Sequence, residues 1–233
     1  MKLIINNNDH TIDDKITNLL DAFLYIKEHI NKSFAFNYGC KSGVCGSCSV
    51  LVNNIEMLAC TNNFKELDVI LPLRNLPIVR DLVVDNSNIQ DKLTKANAFL
   101  LKSNTQKVAQ KDVATIDTES SCILCNSCYS SCPVYSINEN FLGPFALTRV
   151  YRYVNDKKEN DLTSKLDIIQ KNGIWDCTLC GACNTVCPQS IDIKGDILKL
   201  QNLSVCNGYQ NPAFSSFSGF DTSFDNGFNP NGF

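Results

Sequence analysis

Twelve of the thirteen cysteines in this 233-residue chain fall into three sets of four, and thiolates grouped this way can hold iron and sulfide. The first set is Cys40-x4-Cys45-x2-Cys48, closed by Cys60 after eleven more residues. The second is Cys122-x2-Cys125-x2-Cys128-x3-Cys132-Pro133. The third, Cys177-x2-Cys180-x2-Cys183-x3-Cys187-Pro188, repeats the second at an offset of 55 residues. The first spacing is that of a [2Fe–2S] centre, and the other two are cubane runs. In paired cubane runs the fourth cysteine of each run serves the other centre. One centre then takes Cys122, Cys125, Cys128 and Cys187, and the other takes Cys177, Cys180, Cys183 and Cys132. Such a chain is built to move single electrons.

The competing readings are zinc and inert or disulfide-bonded thiols. Zinc sites pair gaps of two to four residues with a second similar pair, which neither the x4-x2 triplet nor the eleven-residue runs provide. Around the first set stand Gly39, Gly43 and Gly46. Glycine lets backbone N–H groups approach sulfur and takes a positive φ without steric cost. No GxGxxG or P-loop occurs, and no acid–base set converges, so no catalytic residue is expected on this chain. Cys206 stands outside the three sets and reads as a small buried apolar residue. His10 and His29 read as surface residues, Trp175 as packed beside a centre, and Lys157-Lys158-Glu159 as a solvated stretch.

The elements that must position these ligands are of two textures. Lys2–Ile5 reads as a strand, with residues 10–12 as its return across an Asn-rich turn. Residues 17–28 carry a helical apolar stripe with Thr17 as the expected N-cap. Residues 49–52 and 55–60 form a hairpin about Asn53-Asn54, and 69–71 and 83–84 are further strands. Residues 103–121 are polar and aperiodic, as an interdomain linker is. Beyond them, residues 145–153, 161–170 and 193–203 are helical, and Pro133 and Pro188 mark where the chain leaves a helical path. The fold class expected is α+β: a β-grasp [2Fe–2S] ferredoxin-like domain over 1–103, then an all-α, bacterial-ferredoxin-like domain with two cubane sites over 104–207. A low-complexity tail over 208–233, rich in Phe, Gly, Ser and Asn, builds no core.

Composition narrows the setting. Net charge is −3 with no block of Lys or Arg, so no nucleic-acid partner is expected. No apolar run reaches the roughly 18–20 residues that span a bilayer. The first residues turn polar too early for a signal peptide, so a cytoplasmic location is expected, where cysteines stay reduced and read as metal ligands.

The order of the motifs resembles the iron–sulfur subunit family of succinate dehydrogenase and fumarate reductase. The likeness runs from about Asn18 to Leu203 and includes Leu19-Leu20-Asp21-Ala22, Gly43-Val44-Cys45-Gly46-Ser47-Cys48, the block from Leu76 to Asp85, and Phe141-Leu142-Gly143-Pro144. The resemblance implies electron relay between an FAD-containing flavoprotein subunit and a membrane anchor subunit, transmembrane or cysteine-rich, near quinone. FAD and quinone then belong to the partners, and the chain sits peripherally on the cytoplasmic face of the inner membrane through them. In most members the third centre is [3Fe–4S], held here by Cys132, Cys177 and Cys183. Cys180 fills the usual vacancy and makes [4Fe–4S] possible. The segment from Cys132 to Ile137 lacks the tryptophan of typical succinate dehydrogenases, and its length is closer to fumarate reductase. The short N-terminus implies trimmed first strands. The alternative activity is a thiol:fumarate or heterodisulfide-type reductase.

Overall fold

The computed structural model describes residues 1–215, so most of the Phe/Gly-rich tail lies outside the described residues. The first strands are β1 (Lys2–Ile5) and β2 (Asn8–Thr11), turned at Asn6 and Asn7 with φ of 48° and 64°. The N-terminal hairpin is therefore present, contrary to the trimming expected. Next come α1 (Leu19–Tyr25), which runs on into a π-helical turn (Ile26–Ile30), and the cysteine loop. Strands β3 (Ser49–Val52) and β4 (Ile55–Leu58) turn at Asn53 and Asn54, with φ of 48° and 68°. Both turns have the paired positive φ of the type I′ hairpin that Asn favours. Strand β5 (Val69–Leu71) completes a sheet of order β2-β1-β5-β3-β4, parallel only between β1 and β5. Helix α1 lays Leu19, Leu20, Ala22 and Phe23 into the core of this β-grasp unit. A small hairpin follows, β6 (Ile78–Arg80) and β7 (Val83–Val84).

The rest is helical: α2 (Ser87–Lys95), α3 (Gln110–Ala114), α4 (Asp117–Ser120), α5 (Ser127–Ser130), α6 (Pro133–Ile137) and α7 (Pro144–Val154). Then come α8 (Leu162–Ile168), α9 (Ala182–Thr185), α10 (Ile193–Cys206) and α11 (Pro212–Ser215). Helices α7 and α10 pack together at the centre of a second core, with Tyr129, Phe141, Phe145, Leu147 and Leu200 fully or nearly buried.

Several local expectations change on packing. Ile89, Leu93, Ala96 and Ala98 join the helical core, so the chain changes cores near Asp85 rather than at 103. Residues 103–121 are not a free linker, because Ser103 bridges to Glu159 and α4 packs on α7. The N-cap of α1 is Asn18, not Thr17: its Oδ1 accepts from the amides of Leu20 at 3.0 Å and Asp21 at 3.3 Å. Pro133 opens α6 at a position where its missing N–H costs nothing, while Pro188 does lead into a turn. Cys206 is exposed at the end of α10 rather than buried. His29 is exposed as expected, but His10 is half-buried against Phe34.

Glu159 is the largest departure. Its side chain is 3% exposed and pairs at 3.2 Å with Lys165, which is 0% exposed. The carboxylate also accepts from the amides of Leu101 and Lys102 at 2.8 and 3.1 Å, and Lys165 donates to the carbonyls of Asn97 and Phe99 at 3.0 and 2.6 Å. Every polar group of this buried pair has a partner, which is what such a pair requires. It staples residues 97–102 to the helical domain.

Candidate metal centres

The first set is built by a loop and a strand end. Cys40, Cys45 and Cys48 lie on the loop ahead of β3, and Cys60 follows β4. Amides aim at the sulfurs: Ser42 and Val44 N–H donate to Cys40 Sγ at 3.4 and 3.3 Å, and Gly43 N–H to Cys60 Sγ at 3.3 Å. Cys40 N–H donates to Cys45 Sγ at 3.4 Å, Cys60 N–H to Cys48 Sγ at 3.5 Å, and the Ser47 hydroxyl to Cys45 Sγ at 3.3 Å. The Ser42 amide, helped by the others, holds the Cys40 thiol down to about 6, so it is ready to ligate as thiolate. Burial instead pushes Cys48 up to about 11. Cys40 and Cys45 are exposed and Cys48 is buried, so this set has one open side.

Cys122, Cys125, Cys128 and Cys187 line one cavity with Phe145, Thr148, Pro188, Ile191 and Ile193. Cys132, Cys177, Cys180 and Cys183 line another with Val134, Phe141, Pro144, Leu179 and Ile197. Each cavity thus draws three cysteines from one run and the fourth from the other. The backbone repeats with the sequence. Leu124 and Leu179 have φ of 54° and 53°, and Asn126 and Gly181 have 63° and 80°. These left-handed residues turn each run inward, and Leu179 N–H donates to Cys177 Sγ at 3.4 Å. Cys132 is the N-cap of α6, its sulfur accepting from Tyr135 N–H at 3.4 Å.

Burial dominates the thiol electrostatics here. Cys128 is pushed far up by burial and then by its neighbours Cys125 and Cys122, and Cys183 rises to about 12 by burial and then Cys177 and Cys132. Cys122, Cys132 and Cys177 are raised by burial in the same way. Buried thiolates without a cation are unfavourable, so iron binding displaces the protons and stabilises the fold in one step. Among the described residues no group of three or more His, Cys, Asp or Glu is already drawn together around a single metal ion. The thiols instead border shared cavities, which fits a body of several irons.

The three sets adjoin one another in turn. A Cβ built on Gly46, in the first loop, would meet Cys125 Cβ at 2.8 Å and Ile123 O at 3.0 Å. With φ of +72° as well, only glycine permits this approach. Gln189, two residues after Cys187, donates to Gly43 O at 3.4 Å. Helix α5, carrying Cys128, packs on α9, carrying Cys183. In the middle set Cys128 is buried and the other three cysteines are half-buried, while Cys40 and Cys45 of the first set and Cys180 of the third are exposed.

Comparison with known proteins agrees with this arrangement. A family described as "2Fe-2S iron-sulfur cluster binding domain" matches residues 5–91, and one described as "4Fe-4S dicluster domain" matches residues 119–191. The chain is 34% identical over 191 residues to the fumarate reductase iron-sulfur subunit of Mycobacterium tuberculosis (strain CDC 1551 / Oshkosh), covering 77% of each chain. The chain belongs to the fumarate reductase and succinate dehydrogenase iron–sulfur subunit family. The Haemophilus influenzae subunit of the same name is also 34% identical, over 77% of this chain and 78% of its own. A fumarate reductase (CoM/CoB) subunit from Methanothermobacter marburgensis is 31% identical over 81% of this chain but 38% of that protein. Among solved structures, a chain of the Mycobacterium smegmatis Sdh1 complex in the apo form superposes with a TM-score of 0.78 at 25% identity, covering 90% of this chain and 97% of that one.

Around this iron–sulfur subunit's ligands stand residues that motif spacing did not flag. Asn18, besides capping α1, donates from Nδ2 to Cys60 O at 3.0 Å, fixing the fourth ligand of the first set. Asn75, at φ of 60°, donates to the carbonyls of Tyr129 and Ser130 at 3.1 and 2.9 Å. Glu56, 2% exposed at its side chain, accepts from Arg74 and from the Ser130 hydroxyl, each at 2.8 Å. Together these clamp α5 to the β-grasp unit. The Asn75-Leu76-Pro77 and Leu142-Gly143-Pro144 blocks carry the only sequence signal for such contacts. In the second, a Cβ on Gly143, with φ of +89°, would meet the Tyr129 ring at 2.3 Å. Trp175 packs on the helical core with Nε1 donating to Gln170 Oε1 at 2.8 Å, a structural role.

Proposed function

We propose that the chain is the electron-transfer subunit of a succinate:quinone or quinol:fumarate oxidoreductase, with its ligands divided as the three cysteine sets suggest. A [2Fe–2S] centre would be held by Cys40, Cys45, Cys48 and Cys60, and a [4Fe–4S] centre by Cys122, Cys125, Cys128 and Cys187. The third would be held by Cys132, Cys177, Cys180 and Cys183. When bound, the clusters take up and release single electrons. The protein's own part is to space them, direct amide dipoles at sulfur, exclude water from the middle one and leave the two ends approachable. The observation that carries this reading is the succession of contacts between the cysteine sets, the first meeting the middle at Gly46 and Cys125 and the middle meeting the third through α5 and α9.

The exposed first loop suits a flavoprotein partner holding FAD, and the exposed end at Cys180 suits an anchor subunit near quinone. Among the described residues no helix is long and apolar enough to cross a membrane. Attachment on the cytoplasmic face of the inner membrane would then come through the partners. The thiol-linked alternative is not favoured: the CoM/CoB relative is matched over 38% of its length, the fumarate reductase subunits over 77–78%. Iron analysis of the anaerobically purified complex tests the reading, with about ten irons per chain expected from one [2Fe–2S] and two [4Fe–4S] centres. About two irons in a fully folded chain would overturn it.

A further inference from the structure

We infer that Asn126 is a positioning residue whose carboxamide, clasped by Asn86 and Asn88, fixes the gap an electron crosses between the first and middle centres. The inference rests on the three-centre reading above.

Asn126 follows Cys125 directly and is 1% exposed. Its Nδ2 donates to Asn86 Oδ1 at 2.8 Å and to Asn88 Oδ1 at 3.1 Å, and its Oδ1 accepts from Asn88 Nδ2 at 3.0 Å. The internal repeat supplies the control. The matching position in the other run is Gly181, also left-handed, with φ of 80° against 63°. The turn therefore needs only a residue tolerant of positive φ, and glycine meets that need without a side chain. Nor is the carboxamide spent on capping, since the N-cap position of α5 has no side-chain cap bond. What remains is the clasp itself.

The partners stand where a clasp controls the domain junction. Asn86 and Asn88 come just after β7, where the chain leaves the β-grasp unit. Asn86 lines a cleft together with Cys45, Gly46, Ile123 and Cys125, so both cluster loops border the same opening. Gly46 already touches Cys125 across the junction without a bond of its own, and the Gln189, Asn75 and Glu56 bonds that also cross between the units do not involve Cys125 or its neighbour Asn126. The asparagine cluster provides three directional bonds at that place. Tunnelling between centres depends steeply on their separation, so a small opening of the cleft slows this step and leaves each ligand set intact.

The test uses the purified holo-complex in three forms: Asn126→Gly, the double change Asn86→Ala with Asn88→Ala, and all three together. Glycine keeps the left-handed turn, and Asn86 is exposed and makes no cap bond, so neither form strips a ligand or the core. Iron content is measured with the magnetic coupling between the reduced first and middle centres and the rate of electron transfer between them. The expected result is wild-type iron, weakened coupling and at least a several-fold slower transfer in both forms, with the combined form no worse than Asn126→Gly. Unchanged coupling and rate at full iron would overturn the inference and leave Asn126 as a turn residue. If Asn126→Gly loses iron from the middle site, the Asn86/Asn88 form decides by the same two readings. A wild-type complex without a middle-centre signal would instead sink the three-centre reading itself.

Discussion

The runs 122–132 and 177–187 have the same cysteine spacing and the same left-handed turns, yet they sit in different surroundings. The first is pressed against the β-grasp unit by Asn75, Glu56 and Gly46, and Cys128 is buried. In the second, Cys183 is buried like its counterpart Cys128, but Cys180 is exposed where its counterpart Cys125 is half-buried. A Cβ on its Gly181 would meet only Lys194 Cδ, at 3.6 Å, where one on Gly46 would meet backbone. Spacing thus determines what each run can hold, while the neighbours determine whether the centre is an interior relay or a terminal one.

The largest effect expected is from removing a cysteine that crosses between the runs. Cys187→Ser should cost the middle centre, about four irons, and with it much of the folding energy of the helical domain. Cys60→Ser should cost about two irons and leave that domain folded. Iron content with circular dichroism checks both, and equal unfolding by the two changes would show that the cores are not independent. Next come the glycines. Gly46→Ala pushes a methyl into the Cys125 backbone and should cost about 3 kcal/mol, combining overpacking with left-handed strain. Gly181→Ala carries the strain alone, about 1 kcal/mol. Denaturant midpoints of the holo-proteins would read the difference, and equal losses would erase the distinction between sealed and open runs.

A smaller change separates the third centre from its usual form. With Cys180 as fourth ligand the oxidised wild type should be silent in electron paramagnetic resonance, and Cys180→Ser should gain a [3Fe–4S] signal while losing about one iron. A stoichiometric [3Fe–4S] signal in the anaerobic wild type, unchanged by the substitution, would remove Cys180 from the ligand set.

The smallest effect concerns pH. Asp196 on α10, 1% exposed, is pushed up to about 7 by burial and by the nearby Glu119 carboxylate. Its folded value lies above the unfolded value of about 3.9, so the folded state binds the proton more tightly. Stability from this group is therefore present below about pH 4 and is lost as pH rises toward 7. Asp196→Asn should flatten that decline, so the variant gains on the wild type between about pH 5 and pH 8. Parallel stability curves over that range would rule the contribution out.

Much of the site was legible because ligand spacing is a local property. The spacing within each cysteine run and the Asn53-Asn54 turn are set by residues close in sequence. What escaped depends on neighbours far along the chain. Glu159 reads as solvated beside two lysines, yet Lys165 and the amides of residues 101–102 enclose it. Asn18 caps α1 in place of Thr17 because its amide also reaches Cys60, a contact 42 residues away. The border between the cores shifted because Ile89 and Leu93 form too short a stripe to reveal which core they face. Cys206 shows the reverse error, since an apolar reading of cysteine says nothing about which face of α10 it occupies.

The proposed exchange of fourth cysteines between the runs also has a consequence for synthesis. The first site is complete in the nascent chain once Cys60 has been made, and its domain can fold and load early. Neither cubane site can close while only the first run has left the ribosome. The outer one is completed by Cys183 and the central one only by Cys187. With that ligand division the relay would be assembled from its two ends, its central station the last able to receive iron.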